Sequence, residues 1–371
     1  MRVQIVDPPA YTPPYDHALA AALAWAGADV ELITSPFPYG RVPTEKGYSV
    51  RELFYRRGSR AGAGQRRRRV LRAAEHLPDM LRYRRVAEEA DIVHFQWLPV
   101  PALDRRLLPR KRPRVFTMHW RLPESGARIA RTLGRLVAEM DAVIVHSEHG
   151  AQRLRQDFGV PEGRIRVIPH GAFDYLTRQD EEVPLPEELQ ATTAPVILAF
   201  GLVRPYKGTD VLLKAFSRLD GAELWIVGMP RMPMNELHEL ADRAPGKVRF
   251  VQRFVADAEV PAFMRRADLV VLPYRNIEQS GVLYTALAFG RPLVLSSVGG
   301  FPEVAERGAA RLFPANDPAE LARAMDELLR DRAQRDALAD AATAAAATDY
   351  SWDRIAQATI ELYRELLGKP R

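Results

Sequence analysis

The sequence predicts an α/β protein of two domains in tandem, each a parallel sheet covered by helices. Three observations predict this class: a length of 371 residues, short apolar runs that alternate with helical stretches, and a break near the middle. At roughly 150 residues per domain, this length suits two domains. Nearly continuous apolar runs rich in β-branched residues are typical of strands that are buried on both faces.

The strand and helix predictions follow the chain in order. Strands are predicted at 2–6, 29–33, 91–95, 114–118, 142–146 and 164–168, and again at 195–200, 223–227, 247–251, 268–272 and 292–296. Helices are predicted between them, among others over Asp16–Ala26, Ala127–Met140, Asp210–Ser217, Val282–Phe289 and Pro318–Leu329. Strands that alternate with helices are typical of parallel sheets.

The acidic, proline-containing segment 178–194 has no periodicity and is predicted to be a linker. We therefore expect a first domain over 1–180 and a second over 190–350. The last helix, 351–368, carries an apolar stripe that begins at Trp352 and includes Tyr363. We expect this stripe to pack on the first domain.

Several functional classes are excluded. The absence of cysteine excludes disulfides, thiol nucleophiles and cysteine-bound metal centres. The longest apolar run, 195–203, is half the length of a membrane span, and the start of the chain does not resemble a signal peptide, so we expect a cytoplasmic protein. The turn after the first strand lacks the glycines of dinucleotide-binding proteins, which argues against an NAD or FAD enzyme. The sequence also has no D-x-D motif, which would bind a metal-bound diphosphate.

Basic residues are unevenly distributed. Lysine and arginine number 53 against 47 acidic residues, and twelve arginines lie between Arg51 and Arg85. Two interpretations of this stretch remain open: it binds an anionic acceptor headgroup or the inner face of the cell membrane, or it is a solvated helix pair. Nucleic acid is not expected as a partner, because an aromatic platform and a readout helix are missing.

The turn after the strand at 195–200 combines glycines with cations. Gly201 and Gly208 bracket Arg204 and Lys207, and an amphipathic helix follows. Arginine can bind two oxygens of an anion and lysine can supply a point charge, next to the N–H groups that start a helix. The alternative is an ordinary strand-to-helix turn with solvated charges.

Two further turns follow parallel strands. Ser280 and Gly281 begin one helix, and the sequence 299–303 begins another. The carboxyl ends of parallel strands meet at one edge of a sheet, where ligands bind. Three convergent turns therefore indicate a phosphate-rich ligand.

Several segments together resemble glycosyltransferase family 4. They are FGLVRPYKGTDVLLKAF, LPYRNIEQSGVLYTALAFGRPLVLSSVGGFPEV, LFPANDPAELARAM, VIVHSEHGAQRL and VIPHG. The resemblance implies the GT-B fold, in which two Rossmann-like domains face each other across a cleft. It also implies transfer of a sugar from a nucleoside-diphosphate sugar to a sugar, glycolipid or other hydroxyl acceptor, with retention at the anomeric carbon and without a metal or other cofactor.

The resemblance also implies site residues. Arg204, Lys207 and His119 would be catalytic, with Arg204 and Lys207 stabilising the departing diphosphate. The predicted donor-binding residues are Gly201, Gly228, Glu278, Gln279, Ser280, Gly281, Val282, Thr285 and Glu303. Asp16, His17 and Trp120 are predicted on the acceptor or cleft side.

The sequence departs from the family at three places. The second glutamate that often follows Glu278 would be Ala286 or Thr285, and Leu202 stands where an arginine is frequent. The glycine-rich loop of the first domain is replaced by 13–17. The nucleotide base therefore stays open, and two alternatives remain: a catalytically silent module that binds nucleotide sugars, and a nucleotide-sugar epimerase of the same architecture.

Overall fold

The structure is a computed structural model that describes residues 1–38, 40, 42, 46–60, 65–110, 112–119 and 128–368. The chain divides into two compact units. The first contains Met1–Gly171 and Trp352–Arg371, and the second contains Ala172–Ser351. Within the described ranges, no helix is long and apolar enough to cross a membrane.

The first unit is built on a parallel sheet. Over the described residues its strands are β1 (Arg2–Asp7), β2 (Asp29–Thr34), β3 (Ser49–Glu52), β4 (Ile92–Phe95), β5 (Arg114–Thr117), β6 (Ala142–Val145) and β7 (Ile165–Val167). Their order in the sheet is β3-β2-β1-β4-β5-β6-β7. The direction of the order therefore reverses between β1 and β4, the place where open α/β sheets bind ligands.

Six helices of the described part of the chain before Gly171 accompany this sheet. They are α1 (Pro13–Trp25), α2 (Arg56–Arg60), α3 (Gln65–Val86), α4 (Pro101–Leu107), α5 (Arg128–Val137) and α6 (Glu148–Phe158). Pro13 suits the start of α1, because a first helical residue needs no N–H partner within the helix. At the start of α6, the Ser147 hydroxyl accepts a hydrogen bond from the Gly150 N–H at 3.1 Å.

The second unit repeats the plan. Its strands are β8 (Val196–Phe200), β9 (Glu223–Val227), β10 (Lys247–Val251), β11 (Leu269–Leu272), β12 (Leu293–Ser296) and β13 (Ala310–Phe313). The order β10-β9-β8-β11-β12-β13 reverses between β8 and β11. The sheet is buried on both faces at its centre, because all residues of β9 and β11 are buried.

The helices of this unit surround the sheet. They are α7 (Glu187–Gln190), α8 (Thr209–Phe216), α9 (Asn235–Asp242), α10 (Val260–Arg266), α11 (Gly281–Ala288), α12 (Phe301–Ala305), α13 (Pro318–Arg330) and α14 (Arg332–Ala347). Short 3-10 turns lie at Ala87–Glu89, Glu162–Arg164, Asp174–Arg178, Pro205–Lys207 and Asp257–Glu259.

The segment 178–194 is not a linker between the units. The first unit ends at Gly171, ahead of the predicted residue 180, and the whole segment belongs to the second unit. Leu189 is 1% exposed, and the Val183 N–H donates to the Ala258 carbonyl at 2.8 Å. The acidic composition indicated a solvated tether, but these contacts attach the segment to the second unit.

The last helix, α15 (Trp352–Gly368), packs on the first unit against α1, as predicted. The Tyr363 hydroxyl lies 2.6 Å from His94 Nδ1, and Arg166 pairs with Glu365 at 2.7 Å. Trp352 lies directly on Gly171, where an added Cβ would be 2.3 Å from the indole ring. The chain thus returns to its first sheet to complete the core of that unit.

Candidate functional site

The cationic turn lies at the carboxyl end of β8, beside the point where the strand order reverses. Gly201 and Gly208 have φ angles of +92° and +66°, which side chains other than that of glycine rarely adopt. Gly208 is the N-cap of α8, and a Cβ added to it would lie 2.0 Å from the Pro273 carbonyl oxygen. The two glycines therefore let the backbone turn tightly against β11.

Lys207 is half-buried within this turn. Its Nζ lies 5.2 Å from the centre of the Tyr274 ring, and a Cβ added to Gly201 would come within 3.0 Å of it. Burial lowers the pKa of the Lys207 ammonium to about 8, so it is still mostly protonated at neutral pH. Its head therefore lies against bare glycine backbone.

Neither Lys207 nor the exposed Arg204 has a carboxylate partner among the residues that the structure describes. A half-buried ammonium without a counter-ion is unfavourable until an anion binds. A small pocket that opens to solvent adjoins the turn, and it is lined by Gly201, Lys207, Thr209 and Tyr274, together with apolar residues of the neighbouring strands. The turn can therefore accept an anionic ligand.

Arg275, which follows β11, holds this turn in place. Its guanidinium donates to both oxygens of Asp210 at 2.8 and 2.7 Å and to the Pro205 carbonyl at 2.8 Å. Its backbone N–H donates to the Tyr206 carbonyl at 2.7 Å. Burial acts to raise the pKa of Asp210, but the hydrogen bonds and charge of Arg275 outweigh it and hold that pKa below its usual value.

Sequence reasoning did not assign this role to Arg275. Asp210 lies in the first turn of α8, but Gly208 is the cap and the Asp210 carboxylate binds Arg275. One sequence signal could have predicted the pair. Arg275 follows the short, apolar strand β11, and it therefore lies at the same edge of the sheet as Arg204 and Lys207.

The second turn begins α11, an eight-residue helix, and its polar side chains are partly engaged. The Ser280 hydroxyl lies 3.2 Å from that of Tyr274, and the Tyr284 hydroxyl donates to Gln279 Oε1 at 2.5 Å. The Thr285 hydroxyl donates to the Gly281 carbonyl at 2.9 Å, within the helix. Gly281, the first residue of α11, is exposed, so a ligand can approach the backbone at the start of this helix.

Close backbone contacts join the turns. A Cβ on Gly228 would lie 2.1 Å from the Gly201 carbonyl oxygen, and one on Gly299 would lie 1.8 Å from the Ile277 carbonyl oxygen. Val282 reaches Gly201, because a Cβ there would be 2.9 Å from its Cγ2. These contacts bring the three predicted turns together at one edge, although the contact of Gly228 with the donor stays a prediction.

The two predicted glutamates lie on these turns. Glu278 is 7% exposed, in the second turn, and Glu303 is half-buried on α12, in the third. Their predicted contact with the donor sugar stays a prediction.

The corresponding edge of the first sheet carries imidazoles. His119, after β5, has its Nε2 at 2.8 Å from the Gln96 side-chain oxygen and its Nδ1 at 3.4 Å from His146 Nε2. The His146 Nδ1–H donates to the Ile168 carbonyl at 2.9 Å. His146 Nε2 then carries no proton, so it accepts a hydrogen bond from the His119 Nδ1–H and leaves His119 Nε2 as an acceptor. When the oxygen and nitrogen of the Gln96 side-chain amide are exchanged, its buried nitrogen donates to His119 Nε2. Both ring nitrogens of His119 are thus held.

These imidazoles are neutral at neutral pH. Burial lowers the pKa of His146 to about 4, and it places the pKa values of His119 and His170 well below the usual value. The Tyr15 ring lies among them, with its centre 4.7 Å from that of His119 and 4.8 Å from that of His170. Tyr15 occupies the segment that replaces the glycine-rich loop of the family.

Asp16 belongs to a buried carboxyl pair with Asp7, a residue that sequence reasoning missed. Asp7 accepts hydrogen bonds from the N–H groups of Tyr11 and Thr12 at 2.7 and 3.2 Å, and the Thr12 hydroxyl donates to Asp16 at 3.3 Å. Burial raises the pKa of Asp7 to about 6, and burial together with the charge of Asp7 raises that of Asp16 well above its usual value. The two carboxyls therefore share one proton.

The remaining first-unit candidates are placed differently. The structure joins His17 Nδ1 to the Tyr48 hydroxyl at 2.6 Å, and burial lowers the pKa of His17 to about 4. His94 is a core residue that bonds Tyr363 and Thr117, both at 2.6 Å. Trp120 lies outside the residues that the structure describes.

Comparison with known proteins decides the family. Residues 15–172 match the family model described as Glycosyltransferase Family 4, and residues 194–331 match the model described as Glycosyl transferases group 1. The chain belongs to glycosyltransferase family 4. The predicted resemblance is thereby confirmed for both units.

The similar proteins of known name are also glycosyltransferases. The chain is 30% identical over 283 residues to the D-inositol 3-phosphate glycosyltransferase of Xylanimonas cellulosilytica, covering 68% of this chain and 66% of that protein. It is 28% identical over 303 residues to the protein of the same name from Mycobacterium marinum, covering 75% of this chain and 64% of that protein. The chain thus spans slightly less than two thirds of the length of these relatives.

Solved structures confirm the GT-B fold of the family member. HepE of Anabaena, in complex with UDP-glucose, superposes with a TM-score of 0.74 at 19% identity, covering 99% of this chain and 100% of HepE. Sucrose-phosphate synthase of Thermosynechococcus elongatus superposes with a TM-score of 0.73 at 19% identity, covering 99% of both chains. The prediction of two Rossmann-like domains is confirmed.

Proposed function

We propose that the protein transfers a sugar from a nucleoside-diphosphate sugar to a hydroxyl acceptor, with retention of configuration and without a metal ion. One observation carries the proposal: Lys207 and Arg204 have no carboxylate partner among the described residues, at the edge of the sheet where ligands bind. The family membership of both units supports it.

The chemistry follows from charge. As the bond between the anomeric carbon and the β-phosphate oxygen breaks, negative charge grows on the departing diphosphate. Arg204 would bind two of its oxygens, and Lys207 would supply a point charge. The N–H groups at the start of α11 would bind a further phosphate oxygen. The Lys207 ammonium is already held against Tyr274 and Gly201 before the reaction, so its charge is placed to favour the transition state over the ground state.

The acceptor oxygen would form its bond on the face that the diphosphate leaves, which retains the configuration. Its proton would pass to the departing phosphate oxygen, so no separate base is needed. His119 and Asp16 are proposed to contact the acceptor side, and their neutral, hydrogen-bonded forms suit hydroxyl groups.

The donor and acceptor are proposed at the level of class. UDP-glucose bound to HepE supports UDP-sugars as the first donors to test. The relatives named for D-inositol 3-phosphate support a sugar-like alcohol as acceptor, and we include sugars and glycolipids in that class.

The test compares Lys207→Ala with Arg218→Ala. Arg218 is exposed and lies just beyond α8. Its substitution by alanine removes the same charge away from the turn, so it is a matched control. In thermal-shift titrations with UDP-, GDP- and ADP-sugars, we expect one nucleotide to stabilise the wild type and the control but not Lys207→Ala. Turnover should fall roughly 100-fold in Lys207→Ala, the scale for a lost fixed charge.

Three outcomes would overturn parts of the proposal. Donor binding without hydrolysis or transfer would favour the silent module, and conversion of the donor sugar without any acceptor would favour the epimerase. An inverted anomeric configuration in the product, measured by NMR, would exclude retention. Loss of transfer in the presence of EDTA, restored by a divalent metal, would exclude metal independence.

A further inference from the structure

The outer face of α3 carries apolar side chains in water. Val70, Leu77 and Leu81 are 65%, 45% and 46% exposed. They are separated by seven and four residues, which places them on one side of the helix. Large aliphatic side chains aligned on an exposed face indicate a surface that something covers.

The opposite side of α3 is part of the core. Met80 and Tyr83 are fully buried in the first unit, and His76 is 3% exposed. The exposed aliphatic residues therefore do not result from an unattached helix. They face away from a helix that is firmly packed.

Arginines extend the apolar stripe at both ends. Arg66 precedes Val70 by four residues, and Arg85 follows Leu81 by four residues. We define the α3 outer face as Arg66, Arg67, Val70, Leu77, Leu81 and Arg85. Within the described ranges, none of its three arginines has a carboxylate partner, and all three are exposed.

The acidic residues of α3 bind partners away from its outer face. Glu75 accepts hydrogen bonds from the N–H groups of Arg57 and Gly58 at 3.0 and 2.9 Å. Asp79 accepts from the Tyr55 N–H and from Arg82, both at 2.9 Å. The outer face therefore keeps its positive charge.

We propose that the α3 outer face docks on the surface of an anionic lipid bilayer. Its aliphatic side chains would enter the boundary between headgroups and acyl chains, while the arginines, on long flexible stems, would bind lipid phosphates. Another polyanion such as nucleic acid would satisfy the arginines but would leave Val70, Leu77 and Leu81 in water. The surface thus favours a membrane over a purely electrostatic partner, and it does not depend on the proposed transfer reaction.

The test measures co-sedimentation of the full chain with vesicles. We expect binding to vesicles of phosphatidylcholine with roughly 30 mol% phosphatidylglycerol and not to phosphatidylcholine alone. Binding should weaken when the salt rises from about 0.1 M to about 0.5 M, because the charges are screened.

Two pairs of substitutions separate the apolar and the charged parts. Leu77→Ser with Leu81→Ser should weaken binding roughly thirtyfold, because exposed aliphatic area no longer enters the lipid. Arg67→Glu with Arg85→Glu should weaken it at least roughly 100-fold. Arg218→Glu with Arg243→Glu makes the same charge change at exposed positions of the second unit and should keep most of the binding.

Unchanged thermal melting of the leucine pair would show that the fold is intact, as its exposed positions predict. Equal binding by the wild type and both α3 pairs would overturn the proposal, as would absence of binding to anionic vesicles at low salt. Binding to duplex DNA that is insensitive to the leucine pair, without vesicle binding, would identify a polyanion site instead and would also overturn it.

Discussion

At the carboxyl edge of the first sheet the titratable side chains are buried and largely neutral, whereas at the same edge of the second sheet two cations lie without a carboxylate partner among the described residues. The two sheets have similar topology, and both reverse their strand order beside their first strand. The difference therefore comes from the turns and not from the fold. Neutral hydrogen-bonding groups suit hydroxyl compounds, and fixed cations suit phosphates.

The largest expected effect is a loss of stability of the first unit at acidic pH. His17, His94 and His146 have pKa values lowered to about 4, about 3 and about 4, all in the first unit. A lowered histidine pKa gives stability that is present above the unfolded value of 6.5 and is lost as the pH falls through the folded value. At about 1.36 kcal/mol per pKa unit, these shifts correspond to about 3 kcal/mol each for His17 and His146 and about 5 kcal/mol for His94.

We therefore expect the first unit to lose protection before the second as the pH falls from about 7 to about 4. Hydrogen exchange measured by mass spectrometry on peptides of both units checks this. The raised pKa values of Asp7 and Asp16 act in the opposite direction, so simultaneous loss in both units would show that the carboxyl pair compensates for the histidines.

The carboxyl pair gives the second prediction. A raised carboxyl pKa gives stability that is present below the unfolded value of 3.8 and is lost as the pH rises through the folded value, about 6 for Asp7. Asp16→Asn should therefore raise the free energy of unfolding at about pH 8, where the carboxyls of the unfolded chain are ionised, and change it little at about pH 4. Urea unfolding at both pH values measures this.

The matched control is Asp29→Asn, on the same sheet, with a side chain that is 76% exposed. It should leave the free energy of unfolding nearly unchanged at both pH values. If Asp16→Asn destabilises the protein equally at both, the pair does not share a proton in the way we infer.

A smaller effect is expected from Arg275→Lys. Lysine cannot bind both Asp210 oxygens and the Pro205 carbonyl in the same way, so the cationic turn should be placed less accurately. We expect kcat/KM for the donor to fall about tenfold, with little change in melting temperature. Asp210→Asn should have a similar effect, and the double variant should lose clearly less than the sum of the two, because both disrupt the same Arg275–Asp210 ion pair.

The control for this pair is Arg311→Lys, which removes a comparable ion pair with Glu327, at 2.8 Å, from the same unit. It should leave kcat/KM unchanged. Additive losses from Arg275→Lys and Asp210→Asn would contradict the assignment of Arg275 as a positioning residue.

Most of the strands could be predicted from the sequence, since buried parallel strands appear as continuous apolar runs. β3 and β13 were not predicted, and both contain only four residues. In β3 no residue is fully buried, so the signal of an apolar run is absent at that edge of the sheet.

The site was predicted as far as local motifs allow. The three turns meet through the contacts of Gly201 with Val282 and of Gly299 with Ile277, because glycines mark places where the chain is closely approached. The Asp210–Arg275 and Asp7–Asp16 pairs were not predicted. The first joins residues 65 positions apart, and the second depends on burial, so neither has a local sequence signal.

The return of α15 to the first sheet has a consequence for synthesis on the ribosome. Residues 172–351 form one continuous stretch, whereas the earlier unit needs Trp352 against Gly171 and Tyr363 against His94. The half that is translated later is therefore complete first, and the half that leaves the exit tunnel first waits for α15. A nascent chain that stops before 352 would hold a finished second half beside an unfinished first one.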